Sequence, residues 1–181
     1  MTEGEVRIRI LTLSGSLRAK SSNAALLQAI ALVAPPDVSV VHYDGLSGLP
    51  HFNPDLDVEP APAAVVRLRE LIAGADALVI SSPEYAHGVP GSFKNALDWL
   101  VSGVEIYQKP VALLNPSPMS RFAHPQLAET LRVMSGALVE EACLTLPIAG
   151  RSLDANGIAA DPELAQAIRG AMDALTSAVR S

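Results

Sequence analysis

The sequence predicts an α/β fold: a five-stranded parallel sheet, doubly wound, with helices on both faces. Three observations predict it. β-rich and helical segments alternate along the chain. Residues 77–82 are apolar until two closing serines, as a strand covered on both faces reads. Hydrophobic residues make up 49% of the chain and aromatic residues only 4%. The apolar mass therefore lies in Ala, Leu, Val and Ile, which suit helices packed on a parallel sheet.

The elements follow in order. Residues 6–14 are β-rich and end in Ser14-Gly15-Ser16. Residues 23–34 predict a helix, with Leu26, Leu27, Ile30 and Val33 on one face, and Pro35-Pro36 stops it. Residues 38–43 form a short strand. Roughly 17 residues follow, from Asp44 to about Pro60, rich in Pro, Gly and Asp; connections that long are usually functional or covering segments. Residues 63–73 are helical, with Val65, Leu68 and Ile72 inward. The third strand is 77–82, and 90–101 is a helix with Phe93, Ala96, Leu97 and Leu100 on one side. Residues 111–114 give a fourth strand, 126–135 a helix and 137–146 a fifth strand. Asp161 is the N-cap of the last helix and Pro162 its first residue. Leu164, Ile168, Ala171, Met172, Leu175 and Val179 form its apolar stripe.

The 181 residues fit one domain spanning 1–181. A formal charge of -6 and a pI near 5.1 argue against broad nucleic-acid binding, which needs a basic face. The one cysteine, Cys143, allows no internal disulfide and reads as a small buried hydrophobe on a strand. Met1 to Glu5 lacks the plan of a signal peptide, and no apolar run approaches the ~20 residues of a membrane span. A soluble, cytoplasmic protein is expected.

In a doubly wound sheet, ligands bind beyond the carboxyl ends of the strands, where the strand order reverses. Three loops reach that place. The first, Ser14 to Asn23, holds four serines, an asparagine, Arg18 and Lys20. Hydroxyls, backbone amides and a helix N-terminus together make an anion site. It lacks the Gly-Lys-Ser/Thr ending of a P-loop and the three glycines of a dinucleotide fingerprint, so a monophosphate suits it best. The second, Ser82 to Gly91, combines two prolines and two glycines with Tyr85, a planar surface. Its irregular backbone can present main-chain groups edge-on to a flat heterocycle. The third is Asn115-Pro116-Ser117-Pro118-Met119-Ser120. The four histidines lack metal-ligand spacing, and no nucleophile elbow is present. His87 reads as a hydrogen-bonded loop histidine.

Ser14-Gly15-Ser16-Leu17-Arg18 with Ser22-Asn23 resembles the phosphate loop of the NADPH-dependent FMN reductase family. Pro83-Glu84-Tyr85-Ala86-His87-Gly88-Val89-Pro90-Gly91, followed by Lys94-Asn95-Ala96-Leu97-Asp98-Trp99, resembles its flavin-ring loop and next helix. The resemblance in element order covers nearly the whole chain and implies a flavodoxin-like three-layer fold. By it, Ser16, Arg18, Ser22 and Asn23 hold the phosphate of FMN, while Pro83, Glu84, Tyr85, Ala86 and Gly88 frame the isoalloxazine. Ser117 flanks the same pocket. The family commonly carries Asn where this chain has Ala86, and several members have a glycine-rich third loop.

The resemblance implies an FMN-dependent NAD(P)H oxidoreductase, with NADPH or NADH as co-substrate and a flavin, quinone or similar small molecule as acceptor. Hydride transfer belongs to the flavin, so no side chain is assigned a catalytic acid or base role. A homodimer or homotetramer is implied, with the apolar residues Leu97, Trp99, Leu100 and Val101 able to serve either interface or core. Two other readings share the fold: a flavodoxin-type electron carrier without pyridine-nucleotide turnover, and a nucleotide-processing enzyme with carboxylates at its strand ends. A third is a binding module with a vestigial flavin site.

Overall fold

The computed structural model describes residues 7–181. Val6, expected in the first strand, and Met1 to Glu5 lie outside them. The strands are β1 (Ile8–Ser14), β2 (Val38–Tyr43), β3 (Ala77–Ser81), β4 (Pro110–Asn115), β5 (Ala137–Leu138) and β6 (Leu144–Thr145). The helices are α1 (Ser22–Val33), α2 (Ala63–Ala73), α3 (Gly91–Asp98), α4 (Ala123–Val133), α5 (Ala155–Ala160) and α6 (Pro162–Arg180). All strand pairs are parallel, in the order β2-β1-β3-β4-β5, with β6 also on β4. The architecture is flavodoxin-like.

Strand alternation builds the two cores. Ile8, Ile10, Val79 and Leu114 face α1, α5 and α6, where Leu26, Ile30, Ile158 and Met172 cover them. Leu11, Leu13, Leu78, Ile80 and Leu113 face the other side and pack on Leu68, Phe93, Leu97 and Leu131 of α2, α3 and α4. A period of two in the strands thus feeds two helical layers.

The fifth strand is not one run. Residues 140–142 make a 3-10 turn, so the edge divides into β5 and β6. Glu140 and Glu141 are exposed, and Glu140 pairs with Arg132 at 2.7 Å, while Ala142 is buried. Two adjacent carboxylates facing water and a small residue facing the core break the alternation a strand needs. Cys143 lies between that turn and β6, half-buried. Its Sγ accepts the Leu113 N–H at 3.3 Å, and burial pushes its thiol pKa up.

The long segment after β2 is a covering one. Trp99 Nε1 and Asn95 Nδ2 both donate to the Pro50 carbonyl, at 2.8 and 2.9 Å, and Asn95 Oδ1 accepts the Phe52 N–H at 2.7 Å. Phe52 meets Trp99 edge to face. Arg69 donates to Asp57 at 2.8 Å and to the Trp99 carbonyl at 2.6 Å. Leu97, Trp99 and Leu100 are therefore core residues; only Val101, 64% exposed, is left for an interface.

Three helix termini show how sequence sets boundaries. Ser21 caps α1 by accepting the Ala24 N–H. Asp161 caps α6 through the Glu163 and Leu164 N–H groups, with Pro162 at the first position. Asp154 caps the short α5 through Gly157. Among the described residues, no helix is long and apolar enough to cross a membrane.

Candidate functional site: a cleft at the strand-order reversal

The chain leaves β1 toward β2 on one side and β3 on the other, so the reversal lies between β1 and β3. Ser14 and Ser81 are register partners at the carboxyl ends of these strands. There the backbones close up: the Gly15 N–H donates to the Ser81 carbonyl at 2.8 Å. A Cβ on Gly15 would sit 2.4 Å from Ser82 Oγ and 2.8 Å from its Cβ, so only glycine fits this crossing.

A cleft of about 870 Å³ opens above the reversal. That is within the usual range for a bound cofactor of roughly 300–1,000 Å³. Ser16, Arg18, Ser22 and Asn23 line it from the first loop, Pro83, Glu84 and Tyr85 from the second, and Ser117 from the third.

The first loop concentrates hydroxyls, cations and helix N–H groups. Ser16 Oγ accepts the Arg18 N–H and Ser14 Oγ accepts the Ser16 N–H, which curls the chain beneath the first turn of α1. Arg18 and Lys20 are exposed. The Ser22 and Asn23 N–H groups stand in the first turn of a helix, where no intrahelical acceptor exists. Asn23 is buried, and its Oδ1 accepts the Ser81 hydroxyl at 2.8 Å. That bond ties α1 to the end of β3 and leaves the Asn23 amide nitrogen for a ligand. Hydroxyls, two cations and helix N–H groups with no carboxylate in the loop suit a phosphate monoester.

The second loop is a two-residue hairpin. Tyr85 and Gly88 exchange both backbone hydrogen bonds at 3.0 Å, and Ala86 and His87 between them have φ of 50° and 62°. Two consecutive positive φ values define a mirror-image turn that favours Asn, Asp or Gly. Gly88 itself needs no special conformation: its φ is ordinary, and a Cβ there would make only van der Waals contacts, the nearest at 3.5 Å. The strain falls on Ala86 and His87, and neither Ala86 nor Gly88 lines the cleft. Among the described residues the hairpin spends the N–H groups of Tyr85 and Gly88 internally, and Val89 donates to Gln126 at 3.1 Å. Those of Glu84, Ala86 and His87 have no backbone partner among the described residues, and of the three only Glu84 lines the cleft.

Glu84 does something the sequence does not announce. Its Oε2 accepts the N–H groups of Phe122 at 2.6 Å and Ala123 at 2.8 Å, and the Ser120 hydroxyl at 3.3 Å. α4 has no capping side chain of its own, so Glu84 caps it from another loop. These contacts, the Ala123 N–H foremost, hold its carboxyl below the ordinary glutamate range. In the third loop Asn115, buried at the end of β4, accepts the Ser117 N–H and donates to the Ser120 carbonyl. The His87 ring stacks on Phe122, with centroids 4.2 Å apart, in place of the expected hydrogen bond.

A fourth wall went unread in the sequence. Ala149, Gly150, Ser152, Leu153, Asp154 and Ala155 line the cleft beside α1. The signal is topological: this segment also leaves the carboxyl end of a strand, β6, and Asp154 opens a helix.

A family model described as NADPH-dependent FMN reductase matches residues 8–149. The chain is 35% identical over 179 residues to an NAD(P)H-dependent FMN reductase of Pseudomonas aeruginosa, covering 96% of each. It is 38% identical over 95 residues to the quinone reductase of Escherichia coli K12, a match over 52% of this chain and 50% of that one. Among solved structures, the flavoenzyme NAD(P)H:(acceptor) oxidoreductase FerB of Paracoccus denitrificans superposes with a TM-score of 0.79 at 26% identity. That match covers 96% of this chain and 97% of FerB.

Proposed function

This chain belongs to the NADPH-dependent FMN reductase family, and on that basis we propose which residues hold its cofactor and which acceptor it serves. Its activity is FMN-dependent oxidation of NADPH or NADH, with electrons passed to a small acceptor. The acceptor class we assign is a quinone, which NAD(P)H and a proton convert to the hydroquinone. The names of relatives matched over about half their length support that class.

One observation carries the site assignment: the cationic, hydroxyl-rich turn of α1 and the Glu84-bound loops open on one cleft at the β1/β3 reversal. Bound FMN supplies the hydride relay between nicotinamide and acceptor. Arg18, Ser16, Ser22 and the Asn23 amide hold its phosphate. Pro83, Glu84 and Tyr85 frame the ring, with Ala86 and Gly88 shaping the hairpin behind them, and Ser117 closes the pocket from the third loop. The open Glu84 N–H favours the negative charge that a reduced ring carries. No side chain serves as acid or base.

Titrating the protein with FMN by fluorescence, then mixing it anaerobically with NADPH, tests the reading. Saturable FMN binding and rapid bleaching are expected. Tight FMN binding with bleaching too slow for turnover would make the chain an electron carrier instead. A cytoplasmic homo-oligomer is part of the proposal. Exposed Val101 and Val133 flank an apolar groove between α3 and α4, where copies would meet, and light scattering measures the assembly.

A further inference from the structure

Two residues beyond the third loop stands Phe122, 53% exposed at the start of α4. Its ring stacks on that of His87, also exposed, at 28° between planes. Neither ring serves a core. Both are nevertheless held in place. The Phe122 backbone is fixed by Glu84, and the His87 backbone lies in the left-handed turn of the hairpin. Gln126, one turn into α4, ties down Val89, where the chain leaves that hairpin. Tyr85 and Ser120, each two residues from one member of the pair, line the cleft. The two loops that bound the ring side of the cleft thus meet in an exposed pair of stacked rings just outside its lining, two residues beyond Tyr85 and Ser120.

We infer that the His87–Phe122 stack is a specificity element for the acceptor, a platform that favours flat aromatic molecules over small non-aromatic ones. This rests on the reading that the cleft holds a flavin. An electron-poor quinone ring laid against a phenyl face gains a stacking contact that a compact anion does not. The Glu84 clamp fixes the platform before the acceptor arrives, so little ordering is left to oppose binding.

The test uses the FMN-loaded enzyme with NADPH and two acceptors, 1,4-naphthoquinone and ferricyanide. The variants are Phe122→Ala, His87→Ala and Phe122→Tyr. A stacked aromatic contact corresponds to about three- to tenfold in kcat/KM. Phe122→Ala is expected to lose that much with naphthoquinone, chiefly through KM, and to keep its ferricyanide rate and FMN affinity. His87→Ala loses less, and Phe122→Tyr restores the quinone value. An unchanged quinone kcat/KM in Phe122→Ala, or an equal loss with both acceptors, overturns the platform. A wild-type enzyme that oxidises NADPH with neither acceptor overturns the proposed function instead.

Discussion

The Glu84 carboxylate accepts the backbone N–H of Phe122 at 2.6 Å, so a residue of the second loop supplies the cap that helix α4 lacks. The second and third loops are therefore one mechanical unit. Because the folded carboxyl titrates below its ordinary range, its stabilising effect is complete above that range and is lost as pH falls through the lowered value. Glu84→Ala is expected to unfold at lower temperature than wild type at neutral pH. The gap should stay constant down to the ordinary glutamate range and narrow in stronger acid. Thermal melts followed by circular dichroism across that span measure it; a gap independent of pH would remove the carboxylate from the cap.

Arg18 is exposed beside the first turn of α1. A charge-assisted hydrogen bond contributes roughly 1.5–3 kcal/mol. Arg18→Ala is expected to weaken FMN binding by about ten- to hundredfold, while riboflavin, which lacks the phosphate, binds nearly as before. Fluorescence titration with both flavins separates the two effects. An equal loss for both would place Arg18 on the ring or in folding.

Gly15 lies where β1 and β3 hand over to their loops. A methyl group there must displace Ser82. Overpacking of this kind costs roughly 1–3 kcal/mol. Gly15→Ala is expected to lower stability in urea by about that amount and to lose FMN affinity by more than tenfold. Gly88→Ala, with ordinary contacts only, should stay within roughly 0.5 kcal/mol of wild type. Similar losses from the two substitutions would contradict the crossing at Ser82.

Ala86 holds a φ of 50° that an L-residue with a Cβ adopts at a cost of roughly 1–2 kcal/mol. Ala86→Gly and Ala86→Asn should relieve part of it, raising stability by about 0.5–1 kcal/mol in urea denaturation. They are expected to leave FMN affinity equal or tighter, since the hairpin is then better organised. Destabilisation by both would mean the turn relaxes differently in solution.

The sheet and most helices were legible because their signals are local. Apolar residues fill 77–80, proline and aspartate mark the start of α6, and a period of 3.6 marks α2, whose limits the sequence places at Ala63 and Ala73. What escaped depends on partners distant in the chain. α4 begins three residues before the expected Gln126 because its cap comes from Glu84, 39 positions earlier than Ala123. α5 carries Asn156-Gly157, a turn signature, and folds as a helix only where Asp154 caps it against α1. The missing Asn at Ala86 reads in the sequence as a lost side-chain amide. In the structure that position requires a left-handed backbone, which Asn tolerates and Ala resists. Of the cleft, the hydroxyl-rich, cationic first loop stands out in the sequence, whereas the wall at 149–155 has no chemistry that does.

The division of the last strand into two dipeptides, each held only by β4, also bears on how copies of the chain behave when crowded. A strand recruits a stranger through a continuous row of unpaired N–H and C=O groups. At this border the row stops after two residues, turns through the acidic pair Glu140-Glu141, and resumes for two more. An incoming chain finds no ladder long enough to zip along. The opposite border, β2, presents six unbroken residues, Val38–Tyr43, and lacks that safeguard. Edge-to-edge growth of aggregates is thereby confined to one side of the sheet, and a lysine introduced at Ser39, outside both cores, would act there rather than anywhere along 137–145.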